Sequence, residues 1–207
     1  MRKEVILQKV QVTETLLPIM TYLEGEPEKL PIFAENRVHQ RTSGDPYPNA
    51  VKINVRNGTK TVKNWKAIIL ENKFLELTIL PELGGRIFSA VDKTTGKDFF
   101  YRQHVIKPAS IGMLGSWISG GVEFNSPMHH RPSTFMPVDY TIVQNDEETI
   151  VWLYENDPLD RMLLAVGISL RADRAFFETR MRVYNRTALS KSFLWWENAA
   201  VPASPDY

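Results

Sequence analysis

The sequence predicts an all-β chain folded as an antiparallel sandwich. Three observations carry this. No segment sustains apolar residues at i, i+3, i+4 and i+7, the signature of an amphipathic helix. Short apolar runs recur instead, in pairs, across polar turns. One of them, AFFETRMRVY, alternates cleanly: Phe177, Thr179, Met181 and Val183 fall on one face, and Glu178, Arg180 and Arg182 on the other. Side chains alternate across a strand, so this run has one buried face and one that is wet or borders a polar cleft.

The elements follow in order. The first sixty residues are irregular, and PIFAENRVHQRTSGDPYPNAV is rich in proline, glycine and polar residues. Residues 1–60 are expected to wrap the sandwich as a long loop with one or two edge strands. Trp65–Leu70 and Phe74–Leu80 flank Glu71-Asn72-Lys73, a hairpin spacing. Arg86–Val91 and Lys97–Tyr101 flank a polar turn that ends in Gly96. Tyr140–Val143 and Thr149–Tyr154 flank QNDEE, and Met162–Leu170 and Ala175–Tyr184 flank RADR. Ser192–Glu197 reads as the next strand. Hairpin-linked strands of this length indicate antiparallel sheets rather than a parallel one.

Composition narrows the function. The chain has 207 residues, 43% of them apolar, a formal net charge of +1 and no cysteine. That length suits a single domain, residues 1–207, with a real core. Near-neutral charge and dispersed Lys and Arg argue against nucleic acid and against anionic membrane. Disulfides and thiolate chemistry are absent. No signal peptide and no bilayer-spanning apolar run is read, and a cytoplasmic home is preferred. The end, WWENAAVPASPDY, reads as a strand with an abrupt stop, so truncation at the C-terminus is expected.

Three clusters could carry chemistry. The first is ISGGVEFNSPMHHRP, residues 118–132. Its glycines let a ligand approach the main chain. Glu123 is a candidate acid, base or acceptor, and Asn125 both donates and accepts. His129 and His130 are adjacent, so on a strand only one of them faces a given pocket. The plain alternative is a bulged strand with histidines satisfied by backbone groups. The second cluster is PELGGRI, residues 81–87. Its glycines suit a tight turn and not a phosphate loop, since no Gly-Lys-Ser/Thr follows. Arg86 is a candidate donor to a polyol, or else a surface arginine paired with a carboxylate. The third is Trp195-Trp196-Glu197-Asn198. One indole can fill the core while Trp196 lines a cleft and meets the C–H face of a sugar, although two packing tryptophans explain the pair equally well. No zinc-protease, EF-hand or Gly-x-Ser-x-Gly pattern occurs. No metal or cofactor is expected, with carboxylate-held calcium left open.

The order PELGGRI, ISGGVEFNSPMHHRPSTFMPVDY, WWENAAVPASPD resembles a bacterial domain of unknown function that typically precedes tetratricopeptide repeats in larger proteins. The likeness runs from about residue 32 to 207. That domain is similar in turn to the galactose mutarotase-like superfamily, whose fold is a large antiparallel β-supersandwich. This resemblance implies that the chain is the N-terminal part of such a sandwich. It implies substrate-binding roles for Arg86 and for His129 or His130. It sets Ala199 where the family carries its catalytic histidine, and the catalytic glutamate would lie further downstream. Mutarotation needs an acid and a base across the ring, so an ordinary epimerase is not expected. A glycosidase using Glu123 and Glu197 would need them spaced about the scissile bond. The reading is therefore a carbohydrate-recognising domain of a glycan-active protein, with Arg86, Asn125, His129, His130 and Trp196 binding sugar. The alternative is a non-catalytic scaffold or interaction module beside helical repeats. Open sheet edges are expected to be covered by a second chain, making a homo-oligomer.

Overall fold

A computed structural model describes residues 9–25, 58–110, 116–127, 130, 132–157 and 160–203. The chain is an antiparallel β-sandwich, and no α-helix occurs among the described residues. The strands are β1 Gln11–Tyr22, β2 Lys60–Glu71, β3 Leu75–Leu80, β4 Arg86–Asp92, β5 Lys97–Asp98, β6 Ala109–Ser110, β7 Ser116–Trp117, β8 Val122–Asn125, β9 Asp139–Gln144, β10 Glu148–Asn156, β11 Met162–Arg171, β12 Phe177–Asn185 and β13 Trp196–Ala199. Two 3-10 turns, Pro81–Leu83 and Pro132–Phe135, complete the regular structure.

The large sheet runs β1-β2-β3-β4-β8-β13, with β5 on β4. The small sheet runs β12-β11-β10-β9. Between them lies the main core. Ile68, Leu70, Leu77, Ile79, Ile87, Val122 and Phe124 come from the large sheet, and Val151, Leu153, Val166, Ile168 and Leu170 from the small one. These are the alternate residues of each strand, as the pleat requires. Trp65, Ala67, Leu80 and Phe88 project from the other face of the large sheet. There they pack against Ile106, Ile118 and Phe135. The large sheet is thus covered on both faces, and its outer cover is built from loops.

All four expected hairpins are present, as the β2–β3, β4–β5, β9–β10 and β11–β12 pairings. In β12, Phe177, Met181 and Val183 face the core, while Arg180 pairs with Glu148 and Arg182 covers the Trp152 ring. Of the N-terminal segment, residues 11–22 form a long edge strand. Pro18 sits there, where its missing N–H costs little. The wrapping path expected for residues 26–57 lies outside the described residues.

One strand differs from expectation. Ser192–Trp195 is not strand; β13 begins at Trp196 and pairs with β8. Two contacts draw it to the large sheet. The Leu194 N–H donates to the Pro127 carbonyl at 2.5 Å. Trp195 stacks on Phe124, with ring centroids 6.1 Å apart and planes inclined by 8°. An aromatic platform outweighs the local propensity of SFLWWE, which has no partner strand at that point.

Asn72 clamps the two sheets. It is 6% exposed. Its Oδ1 accepts from the Phe74 and Leu75 N–H groups, which shapes the β2–β3 turn. Its Nδ2 donates to the Arg171 and Arg174 carbonyls of the β11–β12 turn, each at 2.7 Å. Asn72→Ala leaves those buried groups without partners, and we expect a loss of about 1–3 kcal/mol in urea denaturation. An unchanged midpoint would show that the clamp contributes nothing.

Candidate functional site

The candidate site lies on the outer face of the large sheet, where β4, β8 and β13 adjoin. Its register follows from strand pairing. Ile87 pairs with Val122, and both point into the core, so their neighbours Arg86 and Glu123 point outward. On β13, Asn198 lies opposite Glu123 and Trp196 opposite Asn125, on that same outer face.

Two glycine pairs make this geometry feasible. Gly120 and Gly121 both have positive φ. A Cβ on Gly121 would lie 2.1 Å from the Ile87 carbonyl oxygen, so only glycine lets β8 reach β4. Gly84, also at positive φ, abuts the backbone of Thr134: a Cβ there would lie 2.8 Å from its Cα. The Gly84 N–H donates to the Met136 carbonyl at 2.9 Å. This contact draws the Pro132–Phe135 turn over the strands and sets Thr134 above Glu123.

Glu123 is the centre of the site and is 2% exposed. Thr134 Oγ1 donates a short hydrogen bond to its Oε1. Its Oε2 accepts from Trp117 Nε1 at 3.1 Å and from Asn198 Nδ2 at 3.4 Å, and meets His130 Nδ1 at 2.9 Å. Burial, the largest influence, pushes its pKa up. The Thr134 hydroxyl, the Arg86 charge, His130 and Asn125 together outweigh burial and hold it below the ordinary value of 4.5. At neutral pH Glu123 is a carboxylate, and so only an acceptor.

Arg86 is 2% exposed. It donates to the Ile118 carbonyl at 2.9 Å and, by a shorter bond, to that of Gly120. It fastens the 118–120 loop across β4. Beside it opens a cleft of about 190 Å³, lined by Arg86, Trp117, Ser119, Gly120, Glu123 and Asn198, among others. His130 stands next to the cleft wall, edge-on to Trp117 and Trp196 at ring distances of 6.0 and 5.7 Å.

Of the residues singled out in the sequence, the structure brings together Arg86, Glu123, Asn125, His130 and Trp196. His129 lies outside the described residues. Glu197 does not join them. It pairs with Phe124 and therefore faces away from Glu123. Two carboxylates on opposite faces of one sheet cannot flank one glycosidic bond, so the Glu123/Glu197 acid–base pair is corrected. Ala199 pairs with Val122 and points away in the same manner. Asn125, with no exposed surface, supports Glu123 from below. Trp117, Thr134 and Asn198 complete the cluster without having been expected there. Asn198 was legible as the residue two after Trp196 on one strand, while Trp117 and Thr134 carry no local signal. Glu123 and His130 would supply two metal ligands, and no third His, Asp or Glu joins them among the described residues.

Comparison with known proteins fits this frame. Residues 44–207 match the family described as a domain of unknown function, DUF5107. The chain belongs to that family. It also matches the crystal structure of a TPR-domain containing protein from Parabacteroides distasonis, with a TM-score of 0.81 and 27% identity. The match covers 96% of this chain and 33% of the other. The DUF5107 chain thus spans about a third of that protein's length.

Glu123→Gln removes the charge that four side chains address. We expect it to cost about 2–4 kcal/mol at pH 7. Because the folded pKa is depressed, this contribution is complete above pH 4.5 and is lost as pH falls through the lower folded value. The stability gap between wild type and variant should stay level from pH 7 to about 5 and close below it. A gap that persists unchanged into acid would contradict an ionised Glu123.

Proposed function

We propose that the cleft at Glu123 recognises a carbohydrate. The observation that carries this reading is the pairing of an indole wall, Trp117, with a fixed polar floor. Trp117 borders the cleft with its N–H bound to Glu123, Trp196 stands across His130, and Asn198 and Ser119 offer polar groups. A sugar ring has apolar C–H faces and a rim of hydroxyls, and needs both kinds of surface. Its volume suits one small ring rather than a long chain.

The kinship to the galactose mutarotase-like superfamily belongs to this proposal. It is supported by the order of Arg86, the NSPMHH segment and Asn198 in the sequence, and by the convergence of Arg86, Asn125, His130 and Asn198 on one face. Epimerase activity is not part of it. Alanine at 199 donates no proton and points away from the cleft, and Glu123 is occupied by donors. Association with tetratricopeptide repeats in a larger parent protein is proposed on the family likeness and on the neighbour named above.

One observation favours the second reading, an interaction module. β12 and β13 each pair on one side among the described residues. Near them Leu189, Phe193 and Leu194 are exposed by 73%, 49% and 51%. Such edges invite pairing with another polypeptide, a second copy of this chain included. Light scattering across a concentration series separates a monomer from such an oligomer.

Ligand-observed NMR against monosaccharides should detect binding near the millimolar scale, about −4 kcal/mol. Trp117→Ala should weaken it about tenfold or more, a loss near 1.4 kcal/mol. Silence from every sugar would sink the carbohydrate reading. Polarimetry on fresh α-glucose and α-galactose should show anomer equilibration no faster than without protein. Rapid equilibration at catalytic concentrations would overturn the reading of Ala199.

A further inference from the structure

We infer that His130, which stands beside this cleft against Trp117 and Glu123, is a proton-accepting residue and that Glu123 is its positioning residue. As a ligand contact, this role rests on the carbohydrate reading above.

The argument begins with tautomers. A neutral imidazole carries its proton on one nitrogen and a lone pair on the other. Glu123 is ionised and can only accept, and its Oε2 lies 2.9 Å from His130 Nδ1. Nδ1 must therefore carry the proton. That leaves the lone pair on Nε2, which no side chain or backbone group among the described residues engages. The ring cannot easily turn. It is held edge-on between Trp117 and Trp196, at interplanar angles of 69° and 90°. Trp117 is itself fixed by its N–H bond to the same carboxylate oxygen.

The fixed ring remains accessible. The His130 side chain is 21% exposed, against 3% for that of Glu123. The ring is therefore part-exposed while the carboxylate that holds its Nδ1 is nearly enclosed, and a molecule that approaches the ring from outside meets Nε2 rather than Nδ1. Among the described residues, the ionisable groups that act on Glu123 are Arg86 and His130. The ligand class follows: a neutral molecule that presents a hydroxyl to Nε2 and an apolar face to an indole. On proton transfer the ligand O–H bond breaks, its electron pair stays on oxygen, and an N–H bond forms at Nε2. The resulting imidazolium lies against the Glu123 carboxylate.

The first test is long-range ¹⁵N–¹H NMR of the ¹⁵N-labelled chain at a pH where the ring is neutral. His130 is assigned among the four histidines by the signal lost in His130→Gln. The expected result is a pyrrole-type Nδ1 and a pyridine-type Nε2 in wild type. In Glu123→Gln the ring should move toward the Nε2–H form that histidine prefers in water. A wild-type ring already in that form, or averaging freely, overturns the inference whether or not the variant folds. The second test is carbethoxylation by diethyl pyrocarbonate, read by mass spectrometry, with exposed His104 as the internal reference. Modification of His130 in the folded chain supports a presented Nε2, and its absence while His104 reacts overturns it. Protection of His130 by a monosaccharide supports both the inference and the carbohydrate reading. Reaction without protection by any sugar, with the tautomer as expected, keeps the proton acceptor and defeats the carbohydrate reading.

Discussion

A carboxylate withdrawn from water holds the outer face of the large sheet together. Burying an ion costs several kcal/mol unless donors replace its hydration shell. Glu123 recovers that cost from Trp117, Asn198, His130 and Thr134, which come from β7, β13 and the segment that follows β8. None of these segments is stable by itself. β13 has four residues and β7 two. The acceptor gives each of them a defined place, and the apolar contacts of Phe135, Ile118 and Phe88 then close around the arrangement.

The same constraint explains the glycine pairs. Donors can surround Glu123 only if β8 lies hard against β4 and the Pro132–Phe135 turn lies hard against Gly84. Side chains at 84 or 121 would force both apart. Arg86 then does structural work that its sequence position does not announce. It spans from β4 to two carbonyls of the loop that Gly120 bends, so a cation and a carboxylate sit side by side, each with its own partners. Neither neutralises the other by direct contact. The field of the arginine nonetheless helps to keep the carboxyl ionised.

Local features were legible in the sequence and distant ones were not. The β2–β3, β9–β10 and β11–β12 hairpins could be read because each is decided by two apolar runs and the turn between them. The face of Phe177, Met181 and Val183 followed from alternation alone. The partner of β13 did not. It depends on Trp195 meeting Phe124, residues 71 positions apart, a contact with no trace in local propensity. Within the site, Arg86, Glu123 and His130 were visible because charged and ionisable residues beside paired glycines make poor core. Trp117 and Thr134 are ordinary residues in ordinary contexts, and only the approach of two loops gives them a role. Glu197 was misleading for a physical reason. Proximity in sequence to Trp196 and Asn198 suggested one site, and the alternation of a strand divides those neighbours between opposite faces.

The polar cluster must finally be weighed against a purely structural role. An apolar node of similar volume would serve stability as well as a buried ion with four donors. It would need no indole N–H turned to an anion, and no imidazole held edge-on between two rings. Nor would it stand beside a cleft. A structural ion would be enclosed on all sides, whereas the side chains here grade from the sealed Glu123 through the part-exposed His130 to the exposed Asn198. Rigid polar groups presented at the edge of a concavity are what binding requires, since their orientation is fixed before a ligand arrives and is not lost as entropy on binding. The carboxylate therefore acts in two directions. Inward it fixes the junction of three strands, and outward it sets the direction and proton state of the part-exposed His130 ring.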